Sequence, residues 1–449
     1  KASNNNAVKF LISSLNLDSG ISLLITVTII FCLATILAGI IKSLNLFVNS
    51  RLSADIGTDL STTAYKSVIL QPYRIHLFRN SSEIISSLSL YIDQTVLAVN
   101  NFLQFSTSLI ISIFLIIGLI IINWRVTLSI VFLISISYFL LSLVSNKRLR
   151  RNSEFISKAE KIQVQIIQES IGSIREVLLS YTHDIYFDKY KNFDFLRRRK
   201  IADTQIIAKY PRFLFEAIGI ITLALISFIL ALSAKENLSV ITLIGTFAFG
   251  AQRLLPSIQQ IYFAWAKILG NSESVYKIIR ICKTPIELKD FKKPIKKFKF
   301  DSIIKLENLC FEYNNFSVST LKNINLEIKK GEIIGIKGKT GSGKSTLLDI
   351  LMGLIEPNSG NMYINGIDIY SPLNKLKLNS WKFHNSHVAQ FVFLKDSTIL
   401  DNITFGTSKK INSKRLKEAI NVSQLNDFIN SLPDGIETLV GERGIRLSG

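Results

Sequence analysis

The sequence predicts a polytopic α-helical membrane domain followed by a smaller α/β domain. Three observations predict this fold class. The N-terminal part holds five long apolar windows, a tract rich in Pro and Lys follows Arg280, and beyond it short strand-like runs lead into a glycine-rich loop. Only 19% of the 449 residues are charged while 48% are hydrophobic, so a disordered chain is excluded.

Each apolar window is long enough for a helix that crosses a bilayer, which takes about 20 residues. The first three windows contain no Asp, Glu, Lys or Arg. Core helices of soluble proteins can be as apolar, but five of them in one chain favour a membrane protein. The windows lie near Ile21–Ile41, Phe102–Ile122, Val126–Ser145, Phe213–Ala234 and Leu238–Ile258.

The connections between the windows indicate their orientation. Two tight turns, residues 123–125 and 235–237, hold one Lys or Arg each, whereas residues 42–101 and 146–212 are long and the second of them is strongly basic. Because basic residues favour the cytoplasmic side, both long connections and everything after Ile258 are predicted to be cytoplasmic. An apolar stripe in residues 146–190 predicts helices that continue out of the membrane.

The net charge of +20 first suggests either nucleic acid or an anionic membrane surface. No DNA- or RNA-binding motif accompanies the basic residues, so we expect contact with membrane lipids and no nucleic-acid partner. Three well-separated cysteines exclude a disulfide framework and a cysteine-cluster metal site. We expect an outer segment, a transmembrane domain with cytoplasmic extensions, a linker and the α/β domain, at residues 1–20, 21–282, 283–302 and 303–449.

The strongest motif is the glycine-rich loop GKTGSGKST, between a strand-like run, EIIGI, and a helical run, LLDILMGL. This is the context of a phosphate-binding loop. Gly338, Gly341 and Gly343 let backbone N–H groups face phosphates that side chains would block. Lys344 supplies a charge for the β- and γ-phosphates, and Ser345 can ligate Mg²⁺. The residues predicted to bind nucleotide are Gly338, Lys339, Thr340, Gly341, Ser342, Gly343, Lys344, Ser345 and Thr346.

Joined to a membrane region, this loop resembles that of the ATP-binding cassette (ABC) transporters. Tyr313 stands where that family has an aromatic residue that stacks on adenine. Gln390, in HVAQFVFL, matches the family's glutamine that senses Mg²⁺ and the attacking water. The final GERGIRLSG resembles the segment that runs into the family's signature sequence. The resemblance implies that Ser448 and Gly449 close on ATP bound to the opposite subunit.

The resemblance implies an exporter-type half-transporter, with five of six spans present, that pairs with a second half as a homodimer or a heterodimer. It implies ATP and Mg²⁺ as cofactors, Lys344 and Gln390 as catalytic residues, and Ser345 and Gln390 as metal ligands. The family's catalytic glutamate and switch histidine have no counterpart here. We therefore expect a fragment truncated at both ends, with ATPase activity in the full-length protein. The expected location is the bacterial inner membrane, with the nucleotide-binding domain in the cytoplasm.

An arginine in the last window, Arg253, is costly at membrane depth unless it faces protein or water. It either contacts an anionic head group on the substrate path or snorkels to the inner interface. The stretches QPYRIHLFRNSSEIISSL and RLLPS resemble the flippases of lipid-linked oligosaccharides and their bacterial relatives. This implies ATP-driven flipping or export of an amphipathic substrate, such as a lipid-linked oligosaccharide or another glycolipid.

Two alternatives stay open at this point. One is an exporter of drugs, peptides or proteins on the same architecture, and the other, from a different class, is a nucleotide-gated membrane regulator without turnover. The exporter resemblance also implies short transverse helices at the tips of the cytoplasmic extensions. By position these lie near Gln71–Asn80 and Tyr181–Tyr190, where plain loop tips are the alternative.

Overall fold

The computed structural model describes residues 20–233, 237–284, 300–313, 320–390, 392–406, 411–441 and 444. The chain divides into two compact units, Lys1–Phe291 and Lys292–Gly449. Residues 1–19 of the predicted outer segment, most of the predicted linker and most of the turn at 235–237 lie outside the described residues, as do Ser448 and Gly449.

The first unit is built from helices that follow one another closely along the chain. A π-helical turn, Ser87–Tyr91, joins the third of them to the fourth. The described helices are α1 Gly20–Ile69, α2 Tyr73–Phe78, α3 Ser81–Ser86, α4 Ile92–Gly172, α5 Ile174–Leu179, α6 His183–Ser233, α7 Asn237–Gly270 and α8 Ser272–Lys283.

The long helix α4 consists of two arms that meet at Asn123. There the backbone is extended, with φ −155° and ψ 101°. The Thr127 hydroxyl lies 2.9 Å from the carbonyl oxygen of Leu119, although residues eight apart on a straight helix are separated by about 12 Å. The chain therefore turns back at Asn123, which agrees with the tight turn predicted at residues 123–125 and with two separate apolar windows.

The second arm of α4 continues beyond its apolar window to Gly172, as the apolar stripe predicts. At the first extension tip, α2 lies within the predicted stretch Gln71–Asn80. At the second tip the short helix is α5, so its predicted position, Tyr181–Tyr190, was several residues too late. The reason is the turn after α5. Tyr181 adopts a φ of +52° and Thr182 donates its N–H to the Val177 carbonyl, which ends α5 before α6 begins.

Two described helical stretches, Leu24–Ile69 and Ser81–Gly172, are long and apolar enough to cross a membrane. In their most apolar windows only 0% and 17% of the residues are buried within the protein. So large an apolar surface is unfavourable in water, whereas lipid tails match it. The two remaining apolar windows fall in α6 and α7.

The second unit contains a four-stranded antiparallel sheet in the order β2-β1-β3-β4. The strands are β1 Ile303–Phe311, β2 Leu321–Lys329, β3 Ser359–Ile364 and β4 Ile367–Asp368. The helices described in this unit are α9 Lys344–Leu351, α10 Lys375–His384, α11 Ile399–Ile403, α12 Ser413–Val422 and α13 Asn426–Ser431. Buried side chains of the sheet, including Leu309 and Phe311, pack with Ile350 of α9 in one core.

The predicted strand EIIGI, residues 332–336, is not a strand in the structure. Its residues are exposed, and Ile333 is 99% accessible to solvent. A strand forms only when a neighbouring strand accepts and donates its backbone hydrogen bonds. None of the described strands pairs with this segment, because the pairings in the sheet are β1 with β2, β1 with β3, and β3 with β4. The described residues just before Gln390 likewise form no strand.

Candidate functional site

The glycine-rich loop leads directly into α9, and its backbone takes conformations that favour glycine. Gly341 and Gly343 have φ angles of +82° and +86°. A Cβ atom on Gly343 would also lie 2.9 Å from the carbonyl oxygen of Thr320. At Gly338 the conformation is ordinary, but a Cβ would lie 2.6 Å from the Ser342 hydroxyl. The motif glycines are therefore required by the shape of the loop.

Lys344, the first residue of α9, holds the loop together. Its ammonium group donates to the carbonyl oxygens of Gly338 and Lys339, both at 2.8 Å. The next residue, Ser345, is exposed, so its hydroxyl is accessible from solvent. The loop thus combines a fixed positive charge, an accessible hydroxyl and turned backbone N–H groups, which is the donor set that a triphosphate requires.

Two aromatic side chains fix the far end of α9. The Tyr370 hydroxyl lies 2.6 Å from the Ile350 carbonyl oxygen and 2.7 Å from that of Ile355. The Trp381 indole N–H donates to the Leu351 carbonyl oxygen at 2.7 Å. These bonds satisfy carbonyl groups that a helix end leaves unpaired. They also hold the helix axis, so the positive end of its dipole stays directed at the loop.

The structure brings Tyr313 to the loop. Its hydroxyl lies 3.2 Å from that of Thr346, which is buried, and its ring packs edge-on against Phe311 at 4.8 Å. The sequence did not indicate the contact with Thr346, because the two residues are distant in the chain and carry no joint motif. Stacking of Tyr313 on adenine stays a prediction.

Gln390 is not brought to the loop in the same way. It is exposed, and no hydrogen bond between described residues joins it to Lys344 or Ser345. Burial raises the pKa of the Asp349 carboxyl in α9, and the charge of His387 opposes that shift. Within the described part of the chain, no group of three or more His, Cys, Asp and Glu residues could hold a metal ion. The roles of Ser345 and Gln390 towards Mg²⁺ stay predictions.

A second candidate site lies in the membrane unit, around Arg253. Arg253 of α7 and Lys42 of α1 line one pocket of about 250 Å³. No ion pair between described residues involves either cation. Lys42 was not predicted as a site residue, because the first apolar window stops at Ile41. Helical spacing could have indicated it, since residues three and four apart lie on one helix face. Lys42 shares a face of α1 with five other residues that line the pocket: Phe31, Ala34, Thr35, Ala38 and Gly39.

Comparison with known protein families accounts for both units. The family model described as the ABC transporter transmembrane region matches residues 4–254, and the one described as ABC transporter matches residues 321–449. The chain belongs to the ABC transporter family. The predicted resemblance to an ABC half-transporter and the predicted fold class, a helical exporter-type domain followed by a nucleotide-binding domain, are confirmed. This ABC transporter is an integral membrane protein, and its second domain is an ATP-binding domain.

Two curated relatives illustrate the similarity. The heterocyst differentiation ATP-binding protein HepA of Nostoc sp. is 30% identical over 335 residues, which cover 73% of this ABC transporter chain and 52% of HepA. An ATP-dependent lipid A-core flippase of Ralstonia nicotianae is 26% identical over 371 residues, covering 80% of this chain and 61% of the flippase. The chain thus spans between half and two thirds of the length of these relatives.

The fold also matches a solved structure, that of a bacterial Atm1-family ABC exporter with ATP bound. The TM-score is 0.79 at 20% sequence identity, and the match covers 99% of this ABC transporter chain and 77% of the exporter chain. At this identity the match shows a common fold, which is that of an exporter.

Proposed function

We propose that the full-length protein hydrolyses ATP to flip or export an anionic amphipathic substrate across the bacterial inner membrane. The substrate class is a lipid-linked oligosaccharide or another glycolipid with a charged head group. The observation that carries the substrate class is the pocket that contains both Lys42 and Arg253. The name of the Ralstonia relative, a lipid A-core flippase, supports the same class.

The position of this pocket suits a lipid head group. Lys42 directly follows the first apolar window, so it lies at the inner edge of the bilayer. Arg253 lies five residues before the cytoplasmic end of the last window, which is about 7 Å into the membrane. A positive charge at the depth of Arg253 is costly without a counter-charge, and Lys42 adds a second cation to the same pocket. A phosphate or carboxylate of the substrate would offset that cost, while the apolar stripe of α1 would receive its chain.

The loop before α9 supports ATP hydrolysis as the energy source. Its N–H groups and Lys344 would bind the phosphates, and Tyr313 would stack on adenine. Ser345 and Gln390 would hold Mg²⁺, which neutralises charge that develops on the phosphates during transfer. A second half-transporter, identical or similar, would complete the site with the residues that correspond to Ser448 and Gly449 on the opposite subunit.

The test uses the full-length protein in liposomes that contain an anionic glycolipid. We expect the double variant Lys42→Gln/Arg253→Gln to lose at least about tenfold of the lipid-stimulated ATPase rate, because the head group loses two charge-assisted contacts worth about 1.5–3 kcal/mol each. The basal rate should stay within about twofold.

The matched control is Arg51→Gln, which removes a cation from α1 outside the pocket. It should leave lipid stimulation unchanged. If the double variant is stimulated like the unmodified protein, the pocket is not on the substrate path. Stimulation by uncharged drugs or by peptides instead would favour an exporter of those classes, and absence of any turnover would favour a nucleotide-gated regulator.

A further inference from the structure

The last described helix of the membrane unit, α8, is docked on the cytoplasmic extensions and is followed in the chain by the segment that leads to the ATP-binding domain. Its apolar side is deeply buried. Ile278 and Ile281 are 0% and 3% exposed, and they pack in one cluster with Tyr91 and Ile92, which flank the start of α4, and with Val68 of α1. The hydrophobic part of the contact therefore joins α8 to two other helices.

The polar side of α8 makes a second set of contacts. The Lys277 ammonium donates to the Ser157 hydroxyl at 2.7 Å and lies 4.8 Å from the centre of the Tyr91 ring. The Glu273 backbone N–H donates to the Ser153 hydroxyl at 3.0 Å. Ser274 is hydrogen-bonded to Gln94. Since Ser153 and Ser157 lie on the second arm of α4, α8 holds this arm as well as the first.

Glu160 carries the network further. Its carboxylate is 3% exposed, accepts two bonds from the Gln94 amide at 2.8 and 3.0 Å, and pairs with Arg197 of α6 at 3.3 Å. Gln94 therefore bridges Ser274 and Glu160. A buried carboxylate of this kind is stable only while its partners stay in place, because an uncompensated buried charge is strongly destabilising. The network thus fixes the relative positions of α8, both arms of α4, and α6.

The backbone beside this network is unusual. The segment Ser87–Tyr91 forms a π-helical turn, a rare geometry that occurs frequently at functional sites. It places the Tyr91 hydroxyl so that it donates to the Ser157 carbonyl oxygen at 2.7 Å, while Tyr91 itself is fully buried. The ring is thereby held under the Lys277 ammonium. The π turn and the polar contacts of α8 meet at the same point.

We propose that Lys277, Gln94 and Glu160 are positioning residues that make α8 move as one body with α1, α4 and α6. Movement of the ATP-binding domain then reaches the membrane helices through the chain connection itself. This inference rests on the proposed ATP-driven transport. None of the three residues belongs to the glycine-rich loop or lines the pocket with Lys42 and Arg253, and they act through the helix that they hold.

The first test is Lys277→Met in the full-length protein in liposomes, with both ATP turnover and transported lipid measured. We expect basal ATPase within about twofold of the unmodified protein and at least about a fivefold loss of lipid transported per ATP. Lys277→Arg should restore most of this ratio. The matched control is Lys161→Met, which removes a partly exposed ion pair with Glu83 of α3, outside α8, and should leave the ratio unchanged. A lower melting temperature with an unchanged ratio would overturn the proposal.

The second test asks whether α8 stays docked during the cycle. A Ser153→Cys/Glu273→Cys pair, in a chain whose native cysteines are replaced, should crosslink equally in the nucleotide-free and vanadate-trapped states, and the crosslinked protein should transport. Loss of crosslinking in the trapped state would overturn the proposal. Absence of ATP-dependent transport by the unmodified protein would contradict the proposed function. In that case the crosslinking result would still show whether α8 remains docked.

Discussion

Two glycines, Gly341 and Gly343, determine the shape of the phosphate-binding loop. Both lie in the left-handed region, where a side chain costs about 1–2 kcal/mol. Only Gly343 adds a second constraint, since its Cα faces the Thr320 carbonyl oxygen so closely that a Cβ has no room. Backbone strain alone therefore acts at Gly341, whereas a side chain at Gly343 would also change the loop geometry.

This separation predicts the effect of Gly343→Ala. We expect nucleotide affinity to fall at least about tenfold, because the chain must shift away from Thr320 and the loop N–H groups move with it. A fluorescent ATP analogue measures the affinity. The control is Gly331→Ala, where φ is +85° and no atom lies within 4 Å of the added Cβ. It carries the same backbone strain, so it should lower the melting temperature while ATP binding stays normal. Equal affinity losses in both variants would contradict the account.

At the scale of elements, the turn inside α4 is the clearest local feature of the membrane unit. The Asn123 side-chain oxygen accepts the Val126 backbone N–H at 3.3 Å, so Asn123 caps the second arm as it begins. The carbonyl oxygens of Leu119 and Asn123 share the Thr127 hydroxyl. Both contacts stabilise the reversal between two membrane arms.

Asn123→Ala should therefore destabilise the protein by about 0.5–2 kcal/mol, the usual range for loss of a helix cap. Thermal unfolding in detergent would show it as a lower midpoint. Asn123→Asp keeps an acceptor at the same place, so it should be close to the unmodified protein. If Asn123→Ala and Asn123→Asp unfold at the same temperature, the cap does not stabilise the turn.

Some of these elements could be predicted from the sequence, and others could not. The apolar windows predicted helices in α1, α4, α6 and α7, because helices in lipid must be apolar over a fixed length. The glycine loop predicted the start of α9, because its motif includes the backbone requirement. The prediction of a strand at EIIGI was wrong, because a strand depends on a neighbouring strand that its own residues do not specify. Lys42 was missed because a window ends at its first charge, although the residue still belongs to the helix face.

At the scale of the whole molecule, each unit supplies one part of the proposed cycle. The membrane unit contains the pocket with Lys42 and Arg253, and the second unit contains the loop with Lys344. The helix α8 ends the described part of the first unit, and its buried network joins three other helices. The proposed coupling between ATP turnover and substrate movement therefore uses a covalent route, which can be tested apart from the nucleotide site.

The most direct measurement is lipid flipping by the full-length protein in liposomes. Fluorescent lipids with an anionic or a zwitterionic head group would be followed by dithionite quenching, with and without ATP. We predict ATP-dependent flipping of the anionic lipid, at least about tenfold faster than that of the zwitterionic one. Lys42→Gln/Arg253→Gln should abolish this preference. Equal rates for both lipids, or a preference that survives in the double variant, would contradict the claim that the two cations select the substrate.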